Sequence, residues 1–379
     1  MAPLDVIVLG TGGIGSAALS ALARRGASVL GLDQFPPAHD QGSSHGQTRL
    51  IRQAYYEHPD YVPLVRRAYD LWDELSARRG VQLFRRTGLL QAGPADGPVV
   101  EGTLASAQRH NLPIESLKPD DIQQHWPGFV VPQHFQGIYE PQAGVLAVEQ
   151  CVTAHLEDAQ AHGARLITGE AALAVQVGPD GVTVETAQQK YAAHRLVIAA
   201  GPWASRWLSD LGISLVVRRK PLFWFATRSP AYRASDGCPA FLFETSAGVF
   251  YGFPELERGE LKIAEHSGGD TVLDPAAVDR NVHADDQARL ESFIRDYLPG
   301  VSRTRTNHVV CMYTMSVDEH FIVDRHPEQD RVCFVAGLSG HGFKFAPVLG
   351  EALADLALEG RSMLPIQFFS CRRAALHTR

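Results

Sequence analysis

The first residues of this chain whose types and spacing describe a chemical site lie within its opening 33 positions. Gly10-Thr11-Gly12-Gly13-Ile14-Gly15 fits the pattern G-x-G-x-x-G. The apolar run Val6-Ile7-Val8-Leu9 precedes it, and Ser16 to Arg25, rich in alanine, leucine and serine with basic residues at its end, follows it. A second run, Ser28 to Leu32, leads into Asp33. Strand, glycine turn, helix, strand and acid in this order describe a dinucleotide site. Gly10 permits the tight turn, Gly12 lets a pyrophosphate reach the backbone, and Gly15 lets helix pack on strand. The helix N-terminus faces the phosphates and Asp33 can bind ribose hydroxyls. This motif leaves NAD and FAD both open.

Four further groups carry charge or reactivity. Gly42-Ser43-Ser44-His45-Gly46-Gln47-Thr48-Arg49-Leu50-Ile51-Arg52 is polar, with two arginines and a histidine, and follows Pro36-Pro37-Ala38-His39-Asp40-Gln41, which cannot form regular structure. Arginine offers a planar fork to carboxylates or phosphates, and loops after such strands commonly contact ligand. Cys311, in His308-Val309-Val310-Cys311, is alone in an apolar strand, where a cysteine is ordinarily a small buried hydrophobe. Lys262 alternates with apolar residues in Glu260-Leu261-Lys262-Ile263, which by itself predicts a lysine facing solvent. Gly340-His341-Gly342-Phe343-Lys344 sits between a buried strand and the final helix, so its amides and the helix dipole can face negative charge.

The elements that must position these groups alternate in kind. Leu64, Val65, Ala68, Leu71, Trp72 and Leu75 predict a helix over 61–80, and Val148 to His162 reads as another. Residues 172–186 read as a hairpin around Asp180-Gly181. Leu196 to Ala200 and Val332 to Ala336 are buried strands, the former expected in the same sheet as the first strand. A β-rich stretch covers about 215–265, and Ala346 to Leu358 is helical. The fold expected is mixed α/β and α+β. A Rossmann-type unit draws on 1–82, 146–215 and 315–379, and an antiparallel-sheet unit on 83–145 and 216–314, with the site between them. This discontinuous layout favours FAD, because NAD enzymes usually confine the cofactor to one contiguous double βαβ unit.

Bulk properties exclude several classes. With 379 residues, 45% apolar and 20% charged, the chain predicts two globular domains rather than disorder. A formal net charge of −7 and a pI near 6.1 argue against a nucleic-acid partner. Cys151, Cys238, Cys311, Cys333 and Cys371 are odd in number and scattered, predicting neither a metal site nor a disulfide framework. No apolar stretch approaches the roughly 18 residues of a membrane span, and no leader is expected before the first strand. The expectation is a cytoplasmic protein.

The segment G-S-S-H-G-Q-T-R-L-I-R resembles the one that lies against the flavin in the monomeric sarcosine oxidase and N-methyltryptophan oxidase family, FAD-dependent amine oxidases of the D-amino-acid-oxidase superfamily. The likeness continues through Tyr61-Val62-Pro63-Leu64, Phe250 to Pro254, Cys311-Met312-Tyr313-Thr314, Asp318 to Asp324 and Gly337 to Phe345, spanning nearly the whole chain in order. It implies FAD joined through sulfur to Cys311. It implies cofactor contacts at Gly10, Gly12, Gly13, Ile14, Gly15, Asp33, Gln34, Ser43, Ser44, His45, Thr48, Arg49, Val175, Gly201, Trp203, Met312, Gly340, Gly342, Phe343 and Lys344. Arg52 and Lys344 are then expected to clamp a substrate carboxylate, with Tyr251, Tyr313 and His266 around the amine. Lys262 is expected to stabilise superoxide, and Arg49, His45 and Tyr313 to complete the catalytic set.

The activity implied is oxidative demethylation of an N-methyl amino acid by dioxygen, in a monomer, giving the amino acid, formaldehyde and hydrogen peroxide. Cys311 to Ser316 and Asp318 to Phe321 look closer to sarcosine oxidase, whereas Gly93-Pro94-Ala95-Asp96 looks like N-methyltryptophan oxidase. Val317 replaces the proline expected in its segment. A cyclic secondary amino acid such as L-pipecolate remains an alternative substrate. A non-catalytic flavin subunit of a larger complex, or an NAD-dependent dehydrogenase, is the alternative in kind.

Overall fold

The computed structural model describes residues 4–227, 229–257 and 259–376. Its first sheet has eight strands. Leu4–Leu9 pairs in parallel with Val29–Leu32 on one side and with Lys190–Ile198 on the other. Val332–Ala336 extends the sheet in parallel beyond Leu196 to Ile198. Both faces of the central strand are covered: Val6 and Val8 belong to one apolar core and Ile7 and Leu9 to another. Burial on both faces explains why this strand reads as an unbroken apolar run. The hairpin Ala172–Gly178 and Gly181–Thr186 joins the same sheet.

Helices Gly13–Arg24, Val148–Ala161 and Ala346–Glu359 supply the core over Val6 and Val8, together with Val62–Arg79. The last two of these helical readings hold to within a residue or two of the sequence expectation. The first helix begins at Gly13, three residues earlier than the alanine-rich stretch suggested.

The second sheet has nine strands and is mainly antiparallel, built on Val216–Thr227, Ala240–Thr245, Gly248–Phe253, Glu260–Glu265 and Val301–Met315. Alternation sorts its residues into two buried faces. Phe223, Phe225, Phe241, Phe243, Phe250, Leu261 and Ile263 form an outer core against helix Ala284–Tyr297, which contributes Leu290, Phe293 and Ile294. Leu222, Trp224, Leu242, Tyr251, Phe253, Ala264 and Cys311 cluster on the opposite face, which Lys262 shares by its place in the alternation. Lys262 is therefore 3% exposed, and the expected outward lysine is corrected: this sheet has no solvent face at that strand.

Four helices were not foreseen: Pro98–His110, Pro119–His125, the single turn Ala204–Trp207 and Ala284–Tyr297. Gly102 weakens the helical signal of the first, but a Cβ there would stand 2.2 Å from the Tyr56 carbonyl oxygen, so close packing demands glycine. Residues Thr48–Ile51, read as loop, form a strand against Gly144–Ala147 in a third, three-stranded sheet. Among the described residues no helix is long and apolar enough to cross a membrane.

Helices Gly13–Arg24 and Ala346–Glu359 cross at Gly350, where an added Cβ would lie 2.6 Å from the backbone carbon of Ala17. Gly350→Ala is expected to force these helices apart and cost about 1–3 kcal/mol, against the usual gain from glycine-to-alanine replacement in a helix. A lowered midpoint in thermal unfolding checks this; an unchanged or raised midpoint refutes the tight crossing.

Candidate active site

A long groove opens at the C-terminal ends of the parallel strands. Leu9, Gly10, Gly12, Gly13 and Ile14 line it with Asp33, Gln34 and Phe35, then Ala199 to Trp203, then Met312, Tyr313, Gly340, Gly342 and Phe343. Its empty space is about 1400 Å³, including the part open to solvent. Gly10 has φ +87°, and a Cβ there would stand 2.5 Å from the Ala199 carbonyl oxygen. Gly15 lies outside the groove wall, but its Cβ would stand 1.8 Å from the Gly10 carbonyl oxygen, so it sets how closely the helix approaches.

Helix Gly13–Arg24 has no acidic residue in its first turn and no side-chain cap, so its positive end faces the groove uncompensated by its own residues. The Gly13 N–H donates to Ser44 Oγ at 3.0 Å. Asp33 is anchored by the Thr11 N–H at 2.6 Å and the Phe35 N–H at 3.0 Å. At the other end the turn Phe343–Phe345 leads into Ala346–Glu359, also without acid in its first turn. A groove with two such helix starts, glycine-lined turns and an anchored acid fits FAD.

Cys311 stands beside the groove, fully buried. Its Sγ accepts from Arg49 Nη2 at 3.3 Å, and the same nitrogen donates to the Ser43 carbonyl oxygen at 3.0 Å. Burial works to raise the Cys311 thiol, but Arg49 and then His45 outweigh it and bring the pKa down to about 6. Both ring nitrogens of His45 are buried without a hydrogen-bond partner among the described residues. The Lys262 ammonium donates to the Gly46 carbonyl oxygen at 2.6 Å, the Thr48 carbonyl oxygen at 2.8 Å and Thr48 Oγ1 at 3.1 Å. Burial, then Arg49, hold its pKa well below the ordinary lysine range.

A second, smaller cavity is lined by Arg49, Leu50, Arg52, Tyr56, Glu57, Leu242, Tyr251, His266, Tyr313, Gly340, His341, Phe343 and Lys344. Its empty space is about 490 Å³, again counting the part open to solvent. Arg52 is 3% exposed and lies between the rings of Tyr55 and Tyr56, at 4.2 and 4.5 Å from their centroids. Its Nη2 donates to both Glu57 oxygens at 2.7 and 2.6 Å, and its Nη1 to the Ala54 carbonyl oxygen at 3.0 Å. Burial raises Glu57, yet Arg52 prevails and holds it at about 2. Lys344 donates to the His341 carbonyl oxygen at 2.7 Å and to Tyr55 Oη at 3.3 Å. Burial, reinforced by Arg52 and opposed by Glu57, pushes Lys344 down to about 7. Burial likewise pushes His266 to about 4, and its Nδ1 lies 3.5 Å from Tyr313 Oη.

The structure thus gathers Arg49, Arg52, Tyr251, His266, Tyr313 and Lys344 around one cavity, although they are drawn from residues almost 300 positions apart. Val175 lies on the hairpin, paired with Val184, and is not among the residues lining the groove, whereas Ala172 of the same strand is. Thr48 and Lys262 lie behind the wall, reaching each other rather than the groove. Sequence reasoning missed Glu57, Tyr55, Tyr56 and Leu242. The spacing Arg52 to Glu57 was the available signal for the first of these. Among the described residues no cluster of three or more His, Cys, Asp or Glu could hold a metal ion, and Cys151, Cys238, Cys311 and Cys333 are free and buried.

Comparison with known proteins agrees with this geometry. The family described as FAD dependent oxidoreductase matches residues 5–356. The chain is 39% identical to monomeric sarcosine oxidase of Bacillus sp. (strain B-0618) over 377 residues, covering 98% of this chain and 96% of that protein. It is 38% identical to N-methyl-L-tryptophan oxidase of Yersinia pestis (strain Pestoides F) over 372 residues, covering 97% and 99%. Among solved structures it is similar to the open form of NikD, an unusual amino acid oxidase essential for nikkomycin biosynthesis, with TM-score 0.88, 25% identity and full coverage of both chains. With the groove, the glycine turn and these likenesses in agreement, the chain belongs to the FAD dependent oxidoreductase family.

Proposed function

We propose that this chain oxidises the secondary amine of an N-methyl amino acid, of the sarcosine or N-methyl-L-tryptophan kind. One N-methyl amino acid, one dioxygen and one water become one amino acid, one formaldehyde and one hydrogen peroxide. The observation that carries this reading is a shared wall: Arg49, Tyr313, Gly340 and Phe343 line both the groove and the small cavity. Whatever the cavity's cations hold therefore lies against the end of the groove beside Cys311. The names of the relatives supply the substrate class.

Bound FAD would supply the redox chemistry, taking a hydride equivalent from the N-methyl carbon and passing its electrons to dioxygen. Arg52 and Lys344 hold the carboxylate. The bonds described use three of the five Arg52 N–H groups and two of the three on Lys344, so donors remain for it. His266, held neutral at pH 7, adds no charge against the amine. Tyr251, Tyr313 and Leu242 exclude water around the methyl group. Lys262 keeps a positive charge near the site to favour electron transfer to oxygen.

Cys311 Sγ is the attachment point for the flavin 8-methyl carbon. The thioether replaces one S–H and one C–H bond, and dioxygen takes the two electrons and two protons as hydrogen peroxide. The same reading gives cofactor binding chiefly to 1–82, 146–215 and 315–379, with 216–314 adding Cys311 to the cofactor and Leu242, Tyr251, His266 and Tyr313 to a substrate cavity whose cations come from the first and last of those segments. It treats the protein as a monomer, in keeping with the names of its relatives.

Three results test this reading. After denaturation the yellow colour should remain with the polypeptide, and Cys311→Ala should release any flavin it holds. Attachment to apoprotein supplied with FAD should quicken as pH rises through about 6, where the thiolate forms, and then level off. Free FAD in the supernatant of denatured wild type refutes the linkage.

Removing either Arg52 or Lys344 should weaken a simple carboxylate inhibitor by about 2–5 kcal/mol. Lys344 carries its charge below its lowered pKa and loses it above, so affinity should fall as pH rises through about 7. A bound carboxylate favours the charged form and moves that fall upward. In Lys344→Met this part of the pH dependence should vanish. An unchanged dissociation constant in that variant would remove Lys344 from the clamp.

Lys262→Met should leave anaerobic reduction by substrate little changed while reoxidation in air slows by orders of magnitude, because the lost charge acts only as oxygen takes electrons. Stopped-flow absorbance separates the two halves, and reoxidation at the wild-type rate rejects the assignment. A panel of N-methyl and cyclic secondary amino acids, assayed for peroxide, identifies the preferred substrate.

A further inference from the structure

Between the groove and the buried Lys262, the chain makes a turn that regular structure does not account for. Gly46 and Gln47 are consecutive left-handed residues, with φ of 89° and 69°. Glycine takes this conformation freely, whereas glutamine holds it only when its surroundings do so. A Cβ at Gly46 would meet Leu222 Cδ1 at 2.8 Å, so the turn is also pressed against the sheet.

The Thr48 N–H closes this turn locally on the Gly46 carbonyl oxygen at 2.8 Å, and its other supports come from far along the chain. Glu149, in the first turn of helix Val148–Ala161, accepts the Gly46 N–H at 2.7 Å on Oε1 and the Gln47 N–H at 3.0 Å on Oε2. From the other side Lys262 Nζ donates to the Gly46 carbonyl oxygen at 2.6 Å. One peptide group, joining Gly46 to Gln47, thus has its carbonyl on the ammonium and its N–H on the carboxylate. Lys262 and Glu149 hold opposite ends of one peptide group without touching each other, and each end polarises the other. Among the described residues no carboxylate touches the ammonium, and its other two bonds go to Thr48 in the same segment. Aromatic faces close the remaining sides, Phe253 at 4.8 Å and Trp224 at 5.6 Å.

We propose that Glu149 is a positioning residue for Lys262: its carboxylate fixes the left-handed turn whose carbonyl oxygens hold the ammonium, and through it governs the reaction with dioxygen. The charges that act on Lys262 oppose one another, and Glu149 is among those that favour the cation. Burial and Arg49 favour its neutral form, while Cys311 and Glu149 favour the cation. The inference rests on the reading of Lys262 as the group that serves oxygen. Glu149 also stabilises its own helix as an acid in the first turn, and that role alone would alter stability without separating the two half-reactions.

The test uses the holoenzyme of Glu149→Gln, which keeps the size of the side chain but loses its charge and one acceptor oxygen. Three bonds remain to keep the turn folded: Thr48 N–H to the Gly46 carbonyl oxygen at 2.8 Å, Val148 N–H to the Gln47 carbonyl oxygen at 2.9 Å, and Trp224 Nε1–H to Gln47 Oε1 at 3.1 Å. Anaerobic reduction by an N-methyl amino acid should change less than about twofold, while reoxidation slows about ten- to hundredfold, the loss of a charged hydrogen bond. Glu149→Asp should recover part of the rate, and it serves as the test if the glutamine variant does not fold. Adding Glu149→Gln to Lys262→Met should change reoxidation less than about twofold further, because its effect runs through the lysine.

A crystal structure of Glu149→Gln supplies an arm independent of kinetics, and Lys262 Nζ should have left the Gly46 carbonyl oxygen. The inference is overturned if the ammonium stays in place and reoxidation keeps the wild-type rate while Lys262→Met is slow. If Lys262→Met itself reoxidises normally, the fault lies in the oxygen assignment of Lys262, and the crystal structure still decides whether Glu149 positions it.

Discussion

Positive charge withdrawn from water is the constraint around which this site is arranged. Arg52, Lys220, Lys262 and Lys344 are each at most 5% exposed, and among the described residues Arg52 alone of these four has an ion-pair partner, Glu57. The three lysines rest on neutral oxygens. Lys220 donates to the carbonyls of His266, Ser267 and Gly268, Lys262 to those of Gly46 and Thr48, and Lys344 to that of His341. Carbonyl dipoles lower the cost of burial without cancelling the charge. A seam built this way attracts anions, and a dinucleotide and a carboxylate are the two that its cavities suit.

The same charge explains the ionisation states nearby. Arg49 lies against Cys311 and turns a buried thiol, which burial alone would keep protonated, into one near 6. Cys238, Cys333 and Cys371 are also buried but are pushed up to about 12, because no comparable cation overcomes desolvation there. His266 and His341 stay neutral among the lysines, at about 4 and about 3. The site therefore separates its groups by environment rather than by residue type: one cysteine of several becomes acidic, and histidines lose their proton.

Much of the first sheet could be read directly because its strands are buried on both faces and its glycines answer to close approach. Leu4–Leu9, Lys190–Ile198 and Val332–Ala336 carry unbroken apolar runs, and no other common element does so over so short a length. The helices Pro98–His110 and Ala284–Tyr297 escaped notice for the opposite reason. Glycine interrupts one, and the other shows only Leu290, Phe293 and Ile294 to its core amid charged residues. Glu149 gave no local signal, and Glu57 only its spacing from Arg52. A glutamate on a polar stretch looks like surface until its partners, Arg52 in one case and the N–H groups of Gly46 and Gln47 in the other, are known.

By itself the sequence determined the nucleotide-binding turn, the alternation of helical and β-rich segments, and the residue types available for charge and nucleophilic chemistry. These are local properties, set by backbone freedom at glycine and by the period with which apolar side chains recur. Tertiary structure alone decided which of those residues act together. Lys262 reads as an outward lysine until the sheet is covered on both faces, and Cys311 as an inert thiol until a loop from residues 43–49 lies against it. Val175 is not among the residues lining the groove, whereas Ala172, three residues earlier on the same strand, is. Burial and charge are properties of what surrounds a group, and the chain supplies those surroundings only when residues hundreds of positions apart are packed together.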